Sequence, residues 1–159
     1  MRPPAMRSPN WSPNATPKAK KAMRYLLDTS ALLAHHRQEA GSERVQAILE
    51  TESAEIFLSS LTLAEFARRL RDLGASLAEV EVDLADYEAL ADEILPADAA
   101  VARLAYQLGC ATPARLPLID ALIAATAAHA GATLVHRDAH LRAIPGERLA
   151  QHDLAAPPG

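Results

Sequence analysis

The chain has a single cysteine, Cys110, in 159 residues, so no disulfide can form within it and a reducing compartment fits. Aromatic residues are scarce, with one Trp, three Tyr and two Phe, which excludes an aromatic-built core and leaves helix-on-sheet packing by alanine and leucine. No apolar run suits a signal peptide, because Pro3, Pro4, Pro9, Pro13 and Pro17 interrupt the first 23 residues. The most apolar window, residues 116–135, contains Asp120 and His129 and is largely alanine. That composition reads as a core helix and strand and not as a bilayer span. The expectation is a soluble, cytoplasmic protein with no membrane contact.

Positive charge is also in short supply. The formal net charge is −4, yet the first 23 residues carry Arg2, Arg7, Lys18, Lys20 and Lys21 and no acid, leaving 11 basic against 20 acidic residues beyond them. The folded part is therefore expected to be acidic. Any nucleic-acid binding must rest on local basic residues or metal ions, because the general field is unfavourable.

The length suits one domain with a sizeable core. Residues 1–22 form a basic, proline-rich leader that cannot bury enough apolar surface to offset its ordering entropy, and disorder is expected. Either Met23 is the natural start or the leader is a basic arm that touches RNA. Residues 23–154 form the domain, and 155–159 a frayed tail.

Within the domain, Tyr25-Leu26-Leu27 reads as a buried strand that reaches Asp28, after which Thr29 or Ser30 caps a helix beginning at Ala31. Asp28 thus falls at the carboxyl end of a central strand, where open α/β sheets bind ligands. The alternative is a turn aspartate that bonds nearby amides. A short helix follows to His36, whose His35 and His36 suit an exposed C-terminal turn, then a second over 41–50.

A second strand is expected at 55–59. Beyond it Thr62 and Glu65 have capping-box spacing, so Glu65 either reaches back to the Thr62 amide or faces the same crevice as Asp28. Arg68 and Arg69 share its helix side, as surface ion pairs or as phosphate contacts. Gly74 closes that helix, and Ser76 with Glu79 opens another, whose acids form a solvated face. A short strand at 93–95 precedes a helix from about Asp98 to Leu108, stopped by Gly109, with Cys110 as a small packing residue.

Pro117 marks a helix start that places Asp120 in the first turn, where the helix dipole favours a carboxylate. Ala124, Ala127 and Ala128 share its face, so the helix packs closely and the acid there wants a cation or donors. The strand 133–135 runs into His136-Arg137-Asp138, repeating the logic of Asp28, and 149–152 suits an edge strand.

Asp28, Glu65, Asp120 and Asp138 each follow a strand or open a helix, so a parallel sheet would gather them on one edge. Four neighbouring carboxylates cannot all stay ionised without a counter-charge. Divalent metal removes the conflict, and oxygen donors without Cys or paired His favour Mg²⁺ or Mn²⁺. Phosphodiester hydrolysis is the natural reaction class.

The segments LLDTSALLA, SSLTLAEF, LPLIDALIAATA and LVHRDAHL, in this order, resemble the four motif blocks of PIN-domain nucleases, most of all VapC-type toxins of bacterial toxin–antitoxin pairs. The resemblance implies a PIN-like parallel sheet of four to five strands with helices on both faces. It implies a Mg²⁺- or Mn²⁺-dependent endoribonuclease, a cognate antitoxin and a homodimer. Asp28, Glu65, Asp120 and Asp138 match the acidic ligands, and Thr29 or Ser30 the supporting hydroxyls. Arg68, Arg69 and Arg137 are candidate RNA contacts. Two positions depart from the pattern: His136 stands where threonine is usual, and Leu141 where phenylalanine is common. A catalytically silent RNA- or protein-binding module is the competing reading. An aspartyl-phosphate transferase is disfavoured, because Ser30 occupies the place of its second aspartate.

Overall fold

A computed structural model describes residues 22–157. The leader expected to be disordered, with its two readings, lies outside the described residues except for Ala22, as do the last two residues of the tail. In chain order the elements are β1 (Met23–Leu27), α1 (Thr29–His36), α2 (Ser42–Leu49), β2 (Ala54–Ser59), α3 (Ser60–Asp72), α4 (Leu77–Leu90), β3 (Glu93–Leu95), α5 (Ala99–Ala111), α6 (Leu118–His129), β4 (Thr133–His136), α7 (Ala139–Arg142) and β5 (Gln151–Asp153).

The five strands form one parallel sheet in the order β3-β2-β1-β4-β5. Strand side chains alternate between faces, so consecutive apolar residues serve two cores. Leu26, Phe57 and Leu134 pack with α5, α6 and α7 on one face. Leu27, Ile56, Leu58 and Val135 pack with α1, α2, α3 and α4 on the other. The expected α/β architecture with helices on both faces is what the chain forms.

Local departures from expectation have simple causes. The first helix begins at Thr29 and is capped by Asp28, not by Thr29 or Ser30, because the Asp28 carboxylate accepts from the Ser30 amide at 2.9 Å. Ser59 caps α3 by accepting from the Leu61 amide, so the helix opens at Ser60 and no capping box forms between Thr62 and Glu65. The Ser76–Glu79 box does form. Gly109 does not stop α5, which continues to Ala111 and leaves Cys110 exposed instead of packed. His35 and His36 are not merely solvated: His35 meets Tyr87 at 2.8 Å and Gln46 at 2.7 Å, and His36 meets Asp83 at 3.0 Å. These contacts clip α1 to α2 and α4.

The outer strand β5 is held from α2. Arg44 donates to the Leu154 carbonyl at 3.3 Å and to that of Ala156 at 2.9 Å, and its guanidinium meets His152 Nε2 at 2.7 Å. Gly41, just before α2, has φ +94°, and a Cβ there would stand 2.8 Å from the Leu154 Cβ. Both the backbone and the space require glycine. Gly41→Ala is expected to lower unfolding free energy by about 1–3 kcal/mol in urea titration, the scale of a forced left-handed residue plus displaced packing.

Candidate active site

The strand order makes the site. β1 is central, with β2 and β3 laid to one side and β4 and β5 to the other. The crevice at such a reversal, beyond the strands' carboxyl ends, is where parallel sheets take ligands. Asp28 follows β1, α3 with Glu65 follows β2, and Asp138 lies two residues past β4. Because α6 precedes β4 and runs back along it, the helix begins at that same edge, with Asp120 in its first turn.

The Asp28 amide continues the β1–β4 ladder by donating to the Val135 carbonyl at 3.0 Å. Its Oδ2 accepts from the Ser30 amide at 2.9 Å and from Ser30 Oγ at 2.6 Å. Ser30 Oγ in turn accepts from the Arg137 amide at 2.9 Å, so one hydroxyl ties the Asp28 turn to the Asp138 turn. Thr29 Oγ1 donates to Glu65 Oε2 at 2.7 Å, joining α1 to α3. Glu65 therefore bonds across the crevice. With α3 opening at Ser60 it stands one turn deeper than the motif spacing implied.

Asp28 is only 3% exposed. Its Oδ1 is buried without a hydrogen-bond partner among the described residues. Asp138 Oδ1 accepts from the amides of His140, at 2.7 Å, and Leu141, at 3.3 Å. Asp28, Glu65, Asp120 and Asp138 border one cleft of about 650 Å³, together with Thr29, Ser30, Arg68, Arg69 and His140. Leu33, Leu61, Leu118 and Ile119 supply its apolar wall. One donor atom each from Asp120, Asp138 and His140 lies within 4.8 Å of the others.

The electrostatics follow from this crowding. Burial pushes the Asp28 carboxyl above its ordinary range, Ser30's two hydrogen bonds pull it back, and the Glu65 charge raises it again. Asp120 is pushed up to about 7, first by burial, then by the carboxylates of Asp138, Asp28 and Glu65, with partial relief from His140.

Arg137 differs from expectation. Its guanidinium turns away to Glu39 and to the Ala40 carbonyl and does not border the cleft. Arg68 and Arg69 do border it, and neither forms a salt bridge among the described residues, so the surface-pair alternative fails for them. His136 is fully buried and does not border the cleft. Its Nδ1 accepts from the Asp138 amide at 3.1 Å, which places the proton on Nε2 for Gln151 Oε1 at 2.8 Å. It thus braces the Asp138 backbone. His140 was passed over in the sequence, although a histidine two residues past a motif aspartate is a legible signal.

Residues 25–147 match the family model of the PIN domain. The chain belongs to the PIN-domain family. Its fold is similar to VapBC2 from Rickettsia felis, solved bound to a DNA fragment from their promoter, at 20% identity and TM-score 0.66, covering 82% of this chain and 98% of that one. It is also similar to FitAcB from Neisseria gonorrhoeae, at 26% identity and TM-score 0.61, covering 82% and 97%. A third similar fold is Mycobacterium tuberculosis VapC20, a sarcin–ricin loop cleaving toxin, at 14% identity and TM-score 0.61, covering 75% and 93%. No match was found among curated proteins. Among the described residues no helix of this PIN domain is long and apolar enough to cross a membrane.

The raised pKa of Asp120 has a sign that can be tested. Its folded value near 7 exceeds the ordinary 3.8, so the stability of the protonated form is fully present below about pH 4 and is lost as pH rises to about 7. In chelator, the gain in thermal midpoint of Asp120→Asn over the parent protein is therefore expected to grow from pH 4 to pH 7 and then level off.

Proposed function

We propose that this PIN domain is a cytoplasmic, divalent-metal-dependent endoribonuclease, the toxin of a type II toxin–antitoxin pair. The observation that carries the reading is that Asp28, whose Oδ1 is buried and unpartnered among the described residues, borders one cleft with three more carboxylates. A buried carboxylate oxygen left without a donor is costly, and a cation is the partner that suits it. The donor set of carboxylate oxygens fits Mg²⁺ or Mn²⁺. Asp28, Asp120 and Asp138 would hold the ion, with Glu65 beside them. When bound, such an ion lowers the pKa of an attacking water and polarises the scissile phosphate.

The chain's own residues do the rest. Ser30 fixes the Asp28 carboxylate with two hydrogen bonds and leaves Oδ1 free, while Thr29 holds Glu65 toward the same space. Glu65 or Asp120, on the same cleft, orients the attacking water. Arg68 and Arg69, on the cleft wall, offer the local positive charge that an acidic protein needs to hold RNA phosphates. The apolar wall of Leu33, Leu61, Leu118 and Ile119 suits base and ribose faces.

Support for an RNA substrate comes from the likeness to VapC20, and support for a cognate antitoxin from the likeness to VapBC2. The antitoxin is read as covering this cleft, with a basic side chain among the acids, and the toxin as a homodimer. The departure at His136 lies behind Asp138, and the cleft keeps all four acids, which favours the enzyme over a silent module.

Asp28→Asn retains an oxygen to cap α1, so the protein should fold while RNA hydrolysis falls at least about 100-fold, the scale of misplacing a reacting group. Hydrolysis in the parent should vanish in chelator and return with Mg²⁺ or Mn²⁺. A folded Asp28→Asn protein that cleaves RNA at the parent's rate would rule the assignment out.

A further inference from the structure

One polar residue of the cleft is left without a role. His140 sits two residues past Asp138, in the first turn of α7, and its side chain is 57% exposed. Its Nδ1 stands 3.4 Å from Asp138 Oδ1 and 3.8 Å from Asp120 Oδ2. Neither contact is a hydrogen bond. His36 shows what an ordinary imidazole–carboxylate pair looks like in this molecule, with its Nε2 3.0 Å from Asp83 Oδ2. Both distances lie within ion-pair reach, and an imidazole set between two carboxylates with a hydrogen bond to neither has the spacing of donors that share a central ion. Around an ion with bonds near 2.1 Å, ligands at right angles stand about 3 Å apart and opposite ones about 4.2 Å.

We infer that His140 supplies a nitrogen ligand, through Nδ1, to the cation that Asp120 and Asp138 hold, making the centre a mixed oxygen–nitrogen site that prefers Mn²⁺ to Mg²⁺. The inference rests on the metal-dependent reading above and adds a ligand that the four-acid pattern does not contain. A second observation points the same way: Asp28, whose Oδ1 is buried and unpartnered among the described residues, borders the same cleft. The backbone also prepares the position. The His140 amide donates to Asp138 Oδ1 at 2.7 Å, so the turn that fixes one ligand also presents the other. Imidazole is a borderline donor that first-row transition ions accept, whereas Mg²⁺ keeps oxygen ligands and water. One added nitrogen therefore separates two ions that an all-carboxylate site would hold alike.

The test uses the full chain loaded with Mn²⁺, and its readout is spectroscopic. Pulsed electron paramagnetic resonance should show ¹⁴N coupling from one imidazole, and His140→Ala should remove it. Calorimetry should find Mn²⁺ affinity weakened about tenfold or more in His140→Ala, the scale of losing even an outer-shell partner. Mg²⁺ affinity should stay nearly unchanged. His140 is exposed, so the variant is expected to fold, and its far-ultraviolet circular dichroism should match the parent's. Bound Mn²⁺ without nitrogen coupling, coupling that persists in His140→Ala, or equal Mn²⁺ affinity in the two proteins would each overturn the ligation and leave the endoribonuclease reading standing. Failure of both Mn²⁺ and Mg²⁺ to bind the parent protein would overturn the two together.

Discussion

Negative charge gathered at the carboxyl edge of the sheet is the constraint around which the other contacts of this PIN domain are arranged. Asp28 is almost fully buried, and Asp138 and Glu65 share its crevice with Asp120. Without a counter-charge each carboxylate raises the cost of ionising the next, and the pKa of Asp120, pushed up first by burial and then by Asp138, Asp28 and Glu65, displays it. The fold does not relieve that cost with lysine or arginine ion pairs, because Arg137 is spent on Glu39, and Arg68 and Arg69 form no salt bridge among the described residues. It relieves part of it with hydroxyls. Ser30 and Thr29 donate to Asp28 and Glu65 from adjacent positions on one helix turn.

Those hydroxyl contacts are also the fold's fasteners. The Ser30 side chain joins the turn after β1 to the turn after β4, and the Thr29 side chain joins α1 to α3. Below them the sheet is apolar, with Leu26 and Leu134 buried on one face and Leu27 and Val135 on the other. The small side chains of Ala124 and Ala127, fully buried on α6, let that helix approach the sheet closely and carry Asp120 to the edge. Packing below and charge above are two ends of the same elements, so a change in helix approach would also move a carboxylate.

Much of this was legible in order along the chain. The apolar triplets before Asp28, at 56–58 and before His136 gave strands buried on both sides, since period-two alternation between two cores leaves no polar position. Pro117 marked the start of α6, and Ser76 with Glu79 marked that of α4. The misreadings came where a short polar residue had two uses. Thr62 and Glu65 have capping-box spacing, but Ser59 sits one residue before the helix and reaches the Leu61 amide first. Asp28 took the cap that was assigned to its neighbours, and Gly109 did not break α5, because one glycine in an otherwise favourable helix costs only about 1 kcal/mol.

Residue order alone singled out the candidate site residues: four acids, each beside a strand end or helix start, on an acidic chain. It also determined the alternation that makes a two-faced sheet. Tertiary structure decided what those residues touch. Only the placement of β4 next to β1 lets Ser30 reach the Arg137 amide, buries His136 behind Asp138 and sends the Arg137 side chain away from the cleft. The return of α6 along β4 brings Asp120 to the His140 side of the turn that already holds Asp138. The physical reason is that motif spacing encodes contacts within a turn of helix or strand, whereas a shared site depends on strand order and on how closely the helices approach the sheet.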